Sequence, residues 1–256
     1  MGLPAREASI EANALARAWQ HRLGRSDEAA VRDELISRYA FAIPDAGALT
    51  AIADFSPAGV VELGAGTGFW AHLLDERGVD VVAYDTAPAP SGDNQWFAGR
   101  RAWFDVRTGG QNVIDKHSDR TLLVVWPTRN EDWPGDAVQR FAAAGGTRLA
   151  YVGEPPGGCT GDDLFFALIG ELDRCWACAF GIVTAPCVCG VIPLFTRQRA
   201  VALPHWTGFT DDLGLYVRNT NAAPIRPGPP QAAPRTLGVL WRVSSGTWSS
   251  VRSSPS

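Results

Sequence analysis

Residues 62–68 carry the densest chemistry in the chain: Glu62-Leu63-Gly64-Ala65-Gly66-Thr67-Gly68. An apolar run, Gly59 to Val61, leads into them as a buried strand, and Phe69, Trp70, Leu73 and Leu74 follow at helical spacing. Glycines on alternate positions let the chain reverse tightly and let a ligand approach the backbone. The helix behind them offers unpaired N–H groups. Strand, glycine turn and helix together read as a nucleotide-binding turn. A second apolar strand, Val79 to Tyr84, is interrupted only by Asp80 and ends at Asp85, 21 positions after Gly64. In such an α/β unit an acid at that strand end accepts ribose hydroxyls. A dinucleotide fingerprint would require Gly or Ala at position 69, where this chain has Phe69.

With Glu62 in front, the spacing becomes E-x-G-x-G-x-G, which resembles the first motif of the class I S-adenosylmethionine (SAM)-dependent methyltransferases. The stretches Gly153–Phe166 and Leu203–Arg218 also resemble a poorly characterised microbial branch of methyltransferase-like proteins, and the resemblance covers about positions 40–218. It implies an α/β, Rossmann-like methyltransferase fold: a seven-stranded, mostly parallel sheet with helices on both faces and an N-terminal helical cap. The last two strands would form an antiparallel hairpin, and SAM would be the cofactor. Under the resemblance Gly64, Gly66 and Gly68 pass under the methionine part of SAM. Glu62 holds its amino end or orders the turn, Asp85 binds the ribose, and Asp105 receives the adenine amino group. Amino-group methyltransferases acting on nucleic acids often end the fourth strand with an Asp or Asn, two prolines and an aromatic. This chain has Trp126-Pro127-Thr128-Arg129 there, which argues against methylation of base amines. Trp126, counted with the cofactor-binding residues, makes an aromatic wall suited to an apolar or cationic acceptor.

The elements that must position these groups divide the chain in three. Residues 1–55 read as a helical cap. Ile10, Ala14, Leu15 and Ala18-Trp19 mark a first helix, Ser26 caps a second through Val31, Leu35, Ile36 and Tyr39, and Asp45 caps a third after the break at Pro44. Residues 56–218 form the core, in which strands and helices alternate. Its third strand is expected at Ala102–Val106, its fourth at Thr121–Trp126 and its fifth at Arg148–Gly153, with helices at Ala137–Ala144 and Gly161–Leu172. A sixth strand lies somewhere within 173–203, and Leu213–Arg218 supplies the last. Residues 219–256, rich in Pro and Ser, read as a linker or disordered tail whose apolar piece, Thr236–Val243, could dock on the core.

Three residues are candidate catalytic groups: His205, Glu154 and Tyr39. His205 falls on the expected hairpin loop among aromatic neighbours and can take a proton near neutral pH. Glu154 ends the fifth strand, where α/β sheets face their ligand. Helices preceding the first strand often cover the acceptor pocket in small-molecule methyltransferases, so the resemblance places Tyr39 and Phe41 there; plain helix packing is the competing reading. Phe41, Trp206 and Phe209 are the candidate substrate-binding residues. They point to a small, largely apolar aromatic or heterocyclic acceptor, indole- or phenol-like, of the kind handled in secondary metabolism. Cys175, Cys178, Cys187 and Cys189 could complete a zinc tetrahedron, but their apolar neighbours favour buried free thiols, so no metal is expected. The net charge of −4 leaves no basic stripe for nucleic acid. There is no signal segment and no apolar run long enough for a bilayer, and the odd count of five cysteines fits a reducing compartment, so a cytoplasmic location is expected. Two other readings remain open: a non-catalytic SAM-fold binding module, and an NAD-type oxidoreductase that Phe69 disfavours.

Overall fold

The computed structural model describes residues 28–172 and 192–222, together with the backbone of 239–244 and 247–252. Helix α1 (Glu28–Arg38) carries an acid in its first turn and a base in its last, which complements the helix dipole. Asp45 caps α2 (Ala46–Phe55), accepting the Ala48 N–H at 2.7 Å. Strands β1 (Val60–Leu63), β2 (Val81–Asp85), β3 (Val106–Thr108), β4 (Thr121–Val125), β5 (Arg148–Gly153), β6 (Phe195–Ala202) and β7 (Asp212–Arg218) form one seven-stranded sheet. Its order is β3-β2-β1-β4-β5-β7-β6. The first five strands run parallel, and β7 is antiparallel to both of its neighbours. This is the expected sheet, with its closing hairpin.

Successive strand residues face opposite layers. Val60, Leu123, Ala150 and Val152 pack with α2 and with α3 (Phe69–Asp75) on one face. Val61, Leu122, Val124 and Leu149 pack on the other face with α4 (Trp133–Ala143) and α5 (Asp163–Leu168). The registers place Leu63, Tyr84, Val124 and Tyr151 level across β1, β2, β4 and β5. The C-terminal ends of these strands therefore share one edge of the sheet, the edge at which open α/β sheets bind ligands.

Three boundaries differ from expectation. Strand β3 starts at Val106, opposite Ala83, so Thr108 is level with Asp85. Asp105 therefore precedes the strand instead of ending it, and is exposed. The cause is the connection before it. Residues 86–105 hold no helix, and Trp103 is tied over the start of α3 by its N–H to the Thr67 carbonyl and by its indole to the Arg38 carbonyl, both at 2.8 Å. Helix α4 begins four residues early because Pro134 suits a first helical turn. Helix α5, capped by Asp162, ends at Leu168, before Gly170 turns to a φ of +76°.

The chain divides into two compact units, Met1–Ile225 and Arg226–Ser256. The second holds an antiparallel hairpin of β8 (Val239–Ser244) and β9 (Thr247–Arg252). The first expected helix and the four cysteines considered for zinc lie outside the described residues. Among the described residues no cluster of three or more metal-ligating side chains occurs, and no helix is long and apolar enough to cross a membrane.

Candidate functional site

At the end of β1 the glycine turn is drawn tight by Asp85. One carboxylate oxygen accepts the Gly66 N–H and the other the Ala87 N–H, each at 2.9 Å. A carboxylate can accept about four hydrogen bonds, so both oxygens keep capacity for hydroxyl donors. Beneath the turn Glu62 is buried, at 2% exposure. It accepts the Ala71 N–H, while its Oε2 is buried without a partner among the described residues. Burial pushes its pKa up to about 8; the Ala71 bond opposes this and Asp85 adds to it.

The outer face of this turn is lined by rings. Gly64 and Gly66 have φ of +72° and +55°, a region costly for any side chain. A Cβ on Gly66 would stand 2.5 Å from Phe97 Cε2, and one on Gly64 would stand 2.9 Å from Trp133 Cη2. Phe97 is set there by Asn94, whose side-chain oxygen accepts the N–H of Trp96 at 2.9 Å and of Phe97 at 2.7 Å. The Asn94 amide in turn donates to the Ala87 carbonyl at 2.7 Å.

The second half of the site lies beyond β4 and β5. Trp126, the residue after β4, has a φ of 48°, an unusual conformation for a bulky side chain that costs about 1–3 kcal/mol. Its N–H still donates to the Val152 carbonyl, so the ring is turned out of the sheet line. That ring stacks on Phe41 at 5.0 Å and 9°, and is tilted against Phe209 at 5.7 Å. Phe41 also meets Trp96 and Phe97 edge-on, so one aromatic row runs from the glycine turn to the β6–β7 loop. The Trp126 indole donates to Asp211 Oδ1 at 2.9 Å. Asp211 is 3% exposed, and its Oδ2 is buried without a partner among the described residues. Burial pushes its pKa up to about 7; Glu154 adds to this, while the Trp126 bond, His205 and Arg32 oppose it. Arg32, reaching in from α1, lies with Cζ 4.4 Å from the Phe209 ring centre.

The structure brings Phe41, Phe209 and Trp126 together, with Glu154 nearby, and distributes the other expected residues elsewhere. Glu154 is buried and structural in its contacts: its oxygens accept the N–H of Cys159 at 2.6 Å and of Thr210 at 3.3 Å, tying two loops together. Tyr39 belongs to a different aromatic group, stacked on Trp103 at 5.2 Å and against Phe69 at 4.9 Å, and its carbonyl accepts the Thr67 hydroxyl. Its ring thus braces α3. Trp206 packs in the core. It is 2% exposed, with its indole directed at the Phe41 carbonyl. The neighbouring His205 is exposed, with Nδ1 3.3 Å from the Trp206 carbonyl. Sequence reasoning missed Asp211, Arg32, Phe97 and Trp133. Asp211 was within sight as one of two adjacent acids closing the hairpin loop; the others become neighbours of the site only through the fold.

No protein-family model matches the sequence, and no curated protein matches it. Among solved structures, the magnesium protoporphyrin IX methyltransferase ChlM from Synechocystis PCC 6803 with bound SAM is similar at 12% identity. The match covers 85% of this chain and 99% of that one, with a TM-score of 0.40. TrmN from Thermus thermophilus is similar at 11% identity over 67% of this chain and 48% of that one, with a TM-score of 0.36. A chain from a structure describing conversion of a disulfide bond into a thioacetal group during echinomycin biosynthesis shows 15% identity, 69% and 82% coverage, and a TM-score of 0.35. Similarity at this level carries no residue role and no substrate across. The fold rests on the chain's own features: strand order, antiparallel β7 and a glycine turn closing β1 are those of the class I Rossmann-like methyltransferase fold.

Proposed function

We propose that this chain is a SAM-dependent methyltransferase acting on a small, largely apolar aromatic acceptor. The observation that carries the reading is the orphaned Glu62 Oε2, buried beneath a positive-φ glycine turn that Asp85 grips. A buried carboxylate oxygen without a partner is costly, and an ammonium group is the partner its chemistry suits. The methionyl part of SAM carries one. The donor set therefore fits the cofactor: Glu62 for the amino end, the spare lone pairs of Asp85 for the ribose hydroxyls, and Phe97 and Trp133 for apolar contact along the turn. Bound SAM would supply an electrophilic methyl group, released as the carbon–sulfur electron pair stays on sulfur.

The rest is the work of the chain's own residues. Trp126, Phe41 and Phe209 hold a flat acceptor and exclude water. Asp211 replaces His205 and Glu154 as the proposed base, because it alone of the three has a buried oxygen with no bond to its own chain. A carboxylate whose conjugate acid has a pKa near neutrality can accept the proton of a phenol-type donor as the methyl group arrives.

Calorimetry with SAM, S-adenosylhomocysteine and NAD tests the reading. Binding of the first two, weakened in Glu62→Gln, is expected. A response to NAD alone would sink it. SAM binding without turnover across a broad panel of phenols and indoles would point to a binding module instead.

A further inference from the structure

Two groups of opposite charge stand near the aromatic row, Asp211 buried and Arg32 half-buried, and neither completes the other. Arg32 donates through Nη1 to Asp33 at 3.3 Å, and its guanidinium lies over Phe209. Its Nε and Nη2 are buried without hydrogen-bond partners among the described residues. Those two atoms form the edge of a guanidinium that grips a carboxylate through two parallel bonds. Asp211, next but one to Phe209, is held by Trp126 and leaves Oδ2 unpaired. An arginine placed here for structural reasons alone would spend this edge on a backbone carbonyl or an acid, since a buried charged donor without a partner is costly. Here that edge stays unpaired among the described residues, beside the Phe209 ring.

We propose that Arg32 is an anchor for the acceptor, and that the acceptor is an aromatic carboxylate: its ring lies along Phe41, Trp126 and Phe209, and its carboxylate takes the Nε and Nη2 donors. The inference rests on reading this end of the sheet as the acceptor side, and it narrows the acceptor from apolar aromatic to aromatic acid. The Phe209 contact keeps the guanidinium flat and directed, so that little freedom is lost when the anion arrives. Asp211 stands apart from this contact, available to a second polar group on the same ring.

The test is calorimetry of the full chain with indole-3-acetate and its neutral counterpart indole-3-acetamide, with SAM binding measured in parallel. The acid is expected to bind wild type at least about tenfold more tightly than the amide, as a charged bidentate pair should. In Arg32→Gln the ratio should fall to near one. Equal affinity for the two ligands, failure of both to bind at millimolar concentration, or a ratio that survives in Arg32→Gln would overturn the proposal. If Arg32→Gln does not fold, Arg32→Lys serves. A fall in the ratio supports the anchor, because lysine keeps the charge and loses the fork; an unchanged ratio overturns it. A discriminating site in a chain that fails to bind SAM would leave the anchor standing and remove the methyltransferase reading. SAM binding without discrimination would do the reverse.

Discussion

Asp85 and Asp211 both stand where strands meet the ligand edge of the sheet, and their surroundings treat them in opposite ways. Asp85 spends an oxygen on each of two backbone N–H groups and so builds the turn it belongs to. Asp211 spends one oxygen on an indole and leaves the other buried and idle. The first acid is a carboxylate shaping a cradle; the second sits in a dry setting that lifts its pKa to about 7. A cradle must be right before a ligand arrives, whereas a base must still have something to accept. The contrast divides the candidate site into a rigid half at β1–β2 and a reactive half at β4–β5–β7.

Replacing Asp211 by Asn should break the contrast most. It keeps the indole bond and removes the base, so kcat should fall by about 10²–10⁴ with little change in SAM affinity. In wild type, kcat/KM should rise with pH through about 7 as Asp211 loses its proton, and that limb should vanish in the variant. Equal rates for the two proteins would assign Asp211 to structure. Asp85→Ala comes next: it frees the turn and should weaken SAM binding by about 1.5–3 kcal/mol in calorimetry. A folded variant with unchanged affinity would show that the rigid half is not the cofactor side.

Gly66→Ala should lower stability by about 1–2 kcal/mol, read as a drop in denaturation midpoint, because it forces a side chain into a left-handed residue and against Phe97. Trp126→Phe is smaller still. It retains a ring for Phe41 but strips Asp211 of its donor, so the pH limb should move upward, at a cost of about 1 kcal/mol. Finally, the pH dependence of stability compares the halves directly. Glu62 and Asp211 both have folded pKa values raised above the unfolded ones, so each keeps its proton in the folded chain after the unfolded chain has released it. Their contribution is fully present below about pH 4 and is lost as pH rises through about 7 to 8. The free protein should therefore lose stability across that range, which denaturant titrations can follow. Glu62→Gln should abolish the decline between about 7 and 8 and make it shallower below, where Asp211 alone then contributes.

What could be read in advance follows this same division. The rigid half is written in contiguous spacing, with Glu62, the three glycines and Asp85 at fixed offsets along two strands and one turn. Local sequence rules suffice for that. The reactive half is assembled from α1, the ends of β4 and β5 and the β6–β7 loop, and no local rule links Arg32 to Asp211 across 179 positions. Aromatic residues misled for a related reason. Tyr39 and Phe41 are two positions apart, yet the break before Pro44 sends one ring to Trp103 and the other to Trp126. Asp105 departs from its expected place at the end of β3 because that strand assignment assumed a regular connection, and residues 86–105 fold over the glycine turn without a helix.

The outermost strand of the sheet has a consequence for how copies of this protein meet. Strand β6 pairs with β7 on one side, and most of its side chains are exposed. Exposed edges of that length invite a further strand from another molecule and so seed aggregation. Here the edge carries Arg197 and Arg199 either side of a register shift that interrupts its hydrogen-bonding row. Arg197 is further held across the strand by Glu171 at 3.1 Å and Asp212 at 3.7 Å. Charge and irregularity at one point make the edge a poor template for an incoming strand, a form of protection from self-association that operates independently of whatever the opposite end of the sheet binds.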